Sequence, residues 1–317
     1  MKIIDQSHQI LEDNTDLIQQ IAHRARICYQ SWDKETPETN ERLFHNCIKT
    51  GHMSVLEMGR ITMKVDPDEF FYEDIFDEDN ELNYLKFIFS NYLKFITVDP
   101  IDGYISASVR TLIEIWDGLS RRVQRELVSQ FPDIFKYNGK PRPSATSIFC
   151  EYPEDGPDYM KHKYQAVQIV TNRAMTHEIV RHRPCSFLQE SQRYVRYDTP
   201  DGIEFIRPIW FNPEGCDLRL NDEASDIWLN SVKFAEQRYN LLIKLKQPQQ
   251  AREVLPNSTK TEIIIFANLA EWRHIFFMRT SSKADPQMQG LMRPILEDFK
   301  KLYPGRFDEL KVSRAGM

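Results

Sequence analysis

The order of apolar and polar positions divides this chain into short, mixed segments. Ile10, Leu11, Leu17, Ile18, Ile21 and Ala22 recur at roughly helical spacing within residues 8–30. After a polar loop at Gly51–Met58, Ile61, Met63 and Val65 alternate with Arg60, Thr62 and Lys64, which predicts a half-buried strand. Tyr104-Ile105-Ser106 predicts a second strand, entering a helix through Leu112, Ile115 and Trp116. Pro141, Pro143, Pro153 and Pro157 mark residues 138–158 as a loop. Ala166, Val167, Ile169, Val170 and Ala174 predict a helix over about 160–180, and Ile203, Phe205 and Ile206 a further strand. Two more helices are expected, over 222–245 and 261–279, the latter the last strong one. Strands and helices mix without a regular βαβ alternation, so the expected class is α+β rather than doubly wound α/β. No repeat or Gly/Ser linker divides the chain, and residues 1–317 read as one domain.

Composition narrows the function classes. At 317 residues and 41% hydrophobic the chain can bury a large core. A net charge of -6 argues against a protein that coats nucleic acid. No run of about 18 apolar residues exists, so no membrane span is expected. The start lacks a basic flank followed by an apolar stretch, so no signal peptide is expected either. Cys28, Cys47, Cys150, Cys185 and Cys216 are odd in number, scattered and without a CxxC pair. They read as reduced thiols in a cytoplasmic setting, with no metal site. From Asp66 to Glu81 nine acids are interleaved with Phe70, Phe71, Tyr72, Ile75 and Phe76, which reads as a solvated amphipathic insertion.

One segment reverses the charge. Residues 173–196 hold five arginines (Arg173, Arg181, Arg183, Arg193, Arg196) against Glu178 and Glu190, a charge of +3 that leaves -9 on the remainder. Arginine suits anions because its planar fork matches phosphate and carboxylate. Arg173, His177 and Arg181 fall on one helical face at about 100° per residue; the plainer reading is a surface row that pairs with acids elsewhere. Pro184 ends the helix at or before Arg183. Beyond it lies a loop rich in hydrogen-bonding side chains, among them Ser186, Gln189, Ser191, Gln192 and Arg193.

Arg181-His182-Arg183, seven residues and Ser191, continued as Gln192-Arg193-Tyr194, resembles the signature of the flavin-dependent thymidylate synthases. His52-Met53-Ser54-Val55-Leu56-Glu57 is similar to that family's His-x-Ser/Thr-x-x-Glu loop, and Ala251-Arg252-Glu253-Val254-Leu255-Pro256 to its Ala-Arg-x-x-Leu-Pro segment. Asn268 followed eleven residues later by Arg279 resembles the helix that closes the site, and Gln289 and Arg293 match the tail motif. Residues 66–100 and 117–160 read as insertions relative to compact members. The resemblance implies a central, mostly antiparallel sheet flanked by helices, and a homotetramer with active sites at subunit junctions. It further implies reductive methylation of dUMP to dTMP, with 5,10-methylenetetrahydrofolate as carbon donor and NADPH as reductant through bound FAD.

The same resemblance implies the residue roles. Arg279 polarises the pyrimidine and is the catalytic residue, against the plainer reading of a helix-end arginine capping carbonyls. Glu178, Arg181, Gln189, Ser191, Gln192, Arg193 and Arg252 join it around dUMP. Ser54, Arg181, His182, Arg183, Gln189, Asn268 and His274 fall where the family meets FAD. Asn268 and Arg279 share one helical face, which supports a joint site; His274 lies about 120° off that face and so cannot join them in the same pocket of one subunit. The resemblance nevertheless implies a flavin contact for His274, with another subunit supplying the rest of the site; the plainer reading is a packed core histidine. No GxGxxG is present, so arginines must neutralise the FAD pyrophosphate. Several positions depart from the family pattern. Ala270 stands for an arginine that would contact flavin, Glu178 for glutamine, Gln189 for the usual acceptor, and Gly290-Leu291 for Trp-Glu. Cys185 reads as a packing residue rather than a nucleophile, and Ser191 as a nucleotide ligand, because no G-x-S-x-G elbow surrounds it. The competing readings are a nucleotide-binding regulator without catalysis, a phosphate-ester hydrolase using His182, and a nucleic-acid binder using the arginine cluster. The missing Gly after His182 weighs against the hydrolase and the acidic remainder against the nucleic-acid binder.

Overall fold

The computed structural model describes residues 1–14, 16–65, 96–99, 103–135, 156–200, 202–211 and 223–310. In chain order their elements are β1 (Lys2–Ile4), β2 (Ser7–Leu11), α1 (Leu17–Ala25), α2 (Pro37–Lys49), β3 (Arg60–Lys64), β4 (Ile96–Asp99) and β5 (Tyr104–Ser108). There follow α3 (Val109–Glu114), α4 (Arg121–Gln130), α5 (Gly156–His162), β6 (Tyr164–Asn172), α6 (Arg173–Ile179), β7 (Ser186–Gln189) and β8 (Glu204–Ile206). The last are α7 (Glu223–Leu242), α8 (Pro248–Ala251), β9 (Lys260–Asn268), α9 (Leu269–Arg279) and α10 (Pro286–Leu302). The expected α+β class is what the structure has. A four-stranded sheet in the order β2-β6-β9-β7 is antiparallel throughout, a three-stranded sheet β3-β5-β4 is likewise antiparallel, and β1 pairs with β8 in parallel.

The four-stranded sheet is buried on both faces, and this corrects two predicted helices. Along β9, Ile264 and Phe266 face the core that also holds Leu11, Ala166 and Leu188. Ile263, Ile265 and Ala267 face the opposite core, with Val167, Ile169, Trp272 and Phe276. A strand packed on both sides reads as a continuous apolar run, which hydropathy cannot tell from a buried helix. The helix expected over 160–180 is therefore α5, β6 and α6 in succession, and the one over 261–279 is β9 followed by α9. Within residues 8–30, Ile10 and Leu11 belong to β2, and only Leu17–Ala25 is α-helical. The strand at 60–64, the strand-to-helix step at 104–114, the strand at 204–206 and helix α7 stand where expected.

Helix α10 follows the one expected to be last. Its start carries the usual marks: Asp285 accepts from the backbone N–H groups of Gln287 and Met288, and Pro286 occupies the first turn. It buries Met288, Leu291, Met292, Ile295, Leu296 and Phe299, a repeat of three and four residues, against Trp272 and Phe276 of α9. Trp272 Nε1 donates to the Gln165 carbonyl at 2.9 Å, which fixes α9 over β6. The acidic stretch at 66–81 and most of the loop expected at 138–158 lie outside the described residues, and Gly156 already begins α5.

Candidate functional site

Two strands set up the site. β6 ends at Asn172 and β9 at Asn268, and each asparagine caps the helix that follows. Asn172 Oδ1 accepts from Met175 N at 2.9 Å, and Asn268 Oδ1 from Glu271 N at 2.8 Å. Tyr164 lies opposite Asn268 and Asn172 opposite Lys260, so α6 and α9 start from opposite ends of the sheet. Both pack into the same core, and their C-terminal ends meet. Arg279 joins them: Nη1 donates to Glu178 Oε2 at 2.7 Å, Nη2 to the Glu178 carbonyl at 3.0 Å, and Nε to His182 Nε2 at 3.0 Å. A cation here satisfies a carbonyl in the last turn of α6 and lies at the negative end of both helix dipoles. Three of the five guanidinium N–H groups are used, leaving one on each terminal nitrogen for a ligand.

His182 is buried and receives that bond on Nε2, so its ring proton sits on Nδ1. Nδ1 faces Glu271 Oε1 at 3.6 Å. His274 stands edge-on to His182 with ring centroids 5.9 Å apart. This corrects the expectation that His274 cannot share a pocket with Arg279 within one subunit. His182 comes from the loop after α6 and bridges the angular gap that separates His274 from Arg279 on α9. Asn268 and Arg279 stand at the two ends of α9. They share an azimuth, but the helix between them separates them by about 16 Å along its axis. Both ends of the Asn268 side chain are occupied, since Nδ2 donates to the Lys161 carbonyl at 2.9 Å.

The signature loop is anchored from below. In β7, Gln189 Nε2 donates to Thr176 Oγ1 at 3.0 Å and Thr261 Oγ1 at 3.2 Å. Ser191 N donates to the Cys28 carbonyl at 3.1 Å, and Ser191 Oγ accepts from Arg193 N at 3.3 Å. Gln192 is buried. Between them Glu190, only 1% exposed, accepts from Tyr197 Oη at 2.6 Å and from Lys260 Nζ at 3.2 Å. Burial raises the Glu190 carboxyl pKa despite Lys260. Burial also opposes the Lys260 charge, yet Glu190 and Glu262 together hold its pKa above the usual lysine value.

Arg181, Arg183 and Arg193 are exposed and, among the described residues, make no ion pair; Arg193 lies over the ring of Tyr194. Arg173, outside the set assigned by resemblance, is half-buried beside Arg252. Burial and the Arg252 charge both push its pKa down, and Tyr197 and Glu190 oppose them. Of these two arginines, Arg173 makes no ion pair among the described residues and Arg252 lies 3.9 Å from Glu253. The signal for Arg173 in the sequence was its position on the face shared with Arg181. Ser54 is exposed in the tight segment Met53–Met58, which packs against β7. Arg293 donates to Gln289 one turn earlier on α10. Cys185 is half-buried, and desolvation, with Glu271 adding to it, pushes its thiol far above the usual range. A thiol in that state is a poor nucleophile. Cys185→Ser is expected to keep turnover within about twofold of wild type; a folded but inactive variant in a dTMP-formation assay would restore the thiol mechanism.

Antiparallel sheets flanked by helices, with Arg181, Arg183 and Arg193 exposed on the loop that carries β7, define an α+β protein. The Thy1 family model, described as thymidylate synthase complementing protein, matches residues 9–77 and 158–305, more than half of the chain. The chain belongs to that family. Relatives bearing the name flavin-dependent thymidylate synthase include one from Mycobacterium tuberculosis (strain ATCC 25618 / H37Rv), 34% identical over 157 residues, which are 45% of this chain and 59% of the relative. Those of Corynebacterium efficiens, 34% identical, and Mycobacterium marinum, 33%, align over 150 residues each, covering 44% and 45% of this chain and 59% of each relative. The aligned part of the chain thus spans about three fifths of the length of these relatives. Among the described residues no helix is long and apolar enough to cross a membrane.

Proposed function

We propose that this chain converts dUMP to dTMP by reductive methylation, with 5,10-methylenetetrahydrofolate as carbon donor, NADPH as reductant and FAD between them, as a homotetramer whose subunits share active sites. The observation that carries this reading is the set of exposed arginines on the signature loop, Arg181, Arg183 and Arg193, which make no ion pair among the described residues, together with an Arg279 held with two N–H groups to spare. The nucleotide phosphate falls to Arg181, Arg193 and Arg252, with Arg173 beside it, and Ser191 and Gln192 complete its ring of donors. The remaining N–H groups of Arg279 face the pyrimidine carbonyls, where a fixed guanidinium stabilises the charge that develops as C5 becomes nucleophilic. Gln189 and Glu178 act behind that first ring, through the contacts that hold the loop and Arg279.

The site residues also fit FAD. Arg183, which makes no ion pair among the described residues, supplies a cation for the pyrophosphate, and the edge-on rings of His182 and His274 offer ring nitrogens to the flavin. When bound, the flavin supplies hydride chemistry between NADPH and the pyrimidine. Purified protein is expected to absorb in the flavin bands, to bleach on addition of NADPH, and to form dTMP when dUMP and the folate are added. A colourless protein that still bound dUMP would instead mark a nucleotide-binding regulator, a reading to which Ala270, in place of a flavin-contacting arginine, lends some weight.

A further inference from the structure

Beside Arg279 lies a group that neither the nucleotide nor the flavin accounts for. Glu271 Oε1 is buried and, among the described residues, has no hydrogen-bond partner; His182 Nδ1 stands at 3.6 Å, beyond hydrogen-bond reach. A carboxylate oxygen removed from water with no donor in reach is costly, and a cation relieves it. It faces two imidazoles. The ligating atoms of His182, Glu271 and His274 all lie within 4.8 Å of one another. Glu271 and His274 are three residues apart on α9, the Glu-x-x-His spacing that directs both side chains to one face of a helix.

We propose that His182, Glu271 and His274 form a site for a divalent metal ion of the zinc class, with the fourth coordination position open to water. Two histidines and one carboxylate are a donor set that zinc takes in tetrahedral sites. The edge of such a site, with bonds near 2.0–2.1 Å, is about 3.3 Å. Closing the set therefore needs a shift of up to about 1.5 Å, which rotation of the exposed His274 side chain can supply.

The hydrogen bonds give the site a consequence. Without metal, His182 carries its proton on Nδ1, because Nε2 accepts from Arg279 Nε. A metal on Nδ1 forces that proton, by exchange with solvent, onto Nε2, where it meets the Arg279 N–H. Coordination and the Arg279–His182 bond are therefore mutually exclusive. Arg279 keeps its two bonds to Glu178, so it is displaced at one edge rather than released. Because the proposed function gives His182 and His274 to the flavin, metal and FAD should compete; that clause, and only that clause, rests on the flavin reading.

The test is calorimetric titration of zinc chloride into the full chain freed of flavin and metal. One ion per chain is expected, with affinity lowered at least tenfold in Glu271→Gln and in His274→Asn, both checked for folding by circular dichroism. Cobalt(II) in place of zinc should give the visible bands of a tetrahedral site in wild type and lose them in both variants. No saturable binding, or binding that both variants leave unchanged, overturns the site. Loading with FAD beforehand should weaken zinc binding. Zinc that binds equally well to flavin-loaded protein upholds the metal site and removes the flavin role of the two histidines. Flavin binding with no zinc binding does the reverse.

Discussion

Arg279→Ala is expected to lower dTMP formation about 100- to 1,000-fold, the usual loss when a fixed donor to a developing anion is removed. Flavin content should change by no more than about twofold, because of the residues assigned to FAD Arg279 bonds only His182, whose ring is also held by burial. His182 is packed in the core side of its loop and Gln189 is bonded to Thr176 and Thr261. The variant leaves Glu178 without its partner, but that side chain is 35% exposed, so the cost to folding is small. Arg279→Lys should restore little: a lysine cannot span the Glu178 carboxylate, the Glu178 carbonyl and His182 at once while keeping two N–H groups outward. The measurement is turnover per bound flavin, with flavin content read from absorbance. If turnover and flavin content fell in step, Arg279 would be a clasp between α6 and α9 and nothing more.

Local patterns carried the elements whose two sides differ. Glu223–Leu242 has a wetter and a drier side and is legible from spacing alone; Arg60–Lys64 alternates in sequence and is a strand, but the expected half-burial is corrected, since Arg60 and Thr62 are buried too and only Lys64 is exposed. β6 and β9 were not legible, because two cores press on one sheet and erase the alternation that identifies a strand. Of the site, the loop Arg181–Tyr194 could be read directly, since its residues are contiguous. The contacts that organise it could not. Arg279 reaches Glu178 across 101 residues and His182 across 97, and Lys260 reaches Glu190 across 70. Such pairs follow from the register of β6 on β9 and the turn into each helix, which hydropathy does not encode. The placement of His274 was illegible for the same reason: a helical wheel holds α9 alone and omits the loop that brings His182 between His274 and Arg279.

Lys260→Met should destabilise the fold by about 3–5 kcal/mol, the range for breaking a buried ion pair by removing one partner. Lys260 is 12% exposed and bonds both Glu190, 1% exposed, and Glu262, 12% exposed. Methionine fills the space but leaves a buried carboxylate uncompensated directly before Ser191, so the signature loop should loosen and dUMP binding weaken with stability. The pH dependence fixes the cause. The Glu190 pKa is already above its ordinary 4.5 in the folded protein, and loss of Lys260 raises it further. An acid whose folded pKa exceeds its unfolded one binds more protons when folded, so it favours the fold at low pH and that gain is lost as pH rises through the raised pKa. The variant should therefore recover stability relative to wild type as pH is lowered from 8 toward 5. Adding Glu190→Gln should return part of the loss at pH 8, because the neutral amide needs no counter-charge. Thermal melts of wild type, both single variants and the double variant across that range decide it. A pH-independent deficit that Glu190→Gln did not reduce would rule out the uncompensated Glu190 charge as its cause.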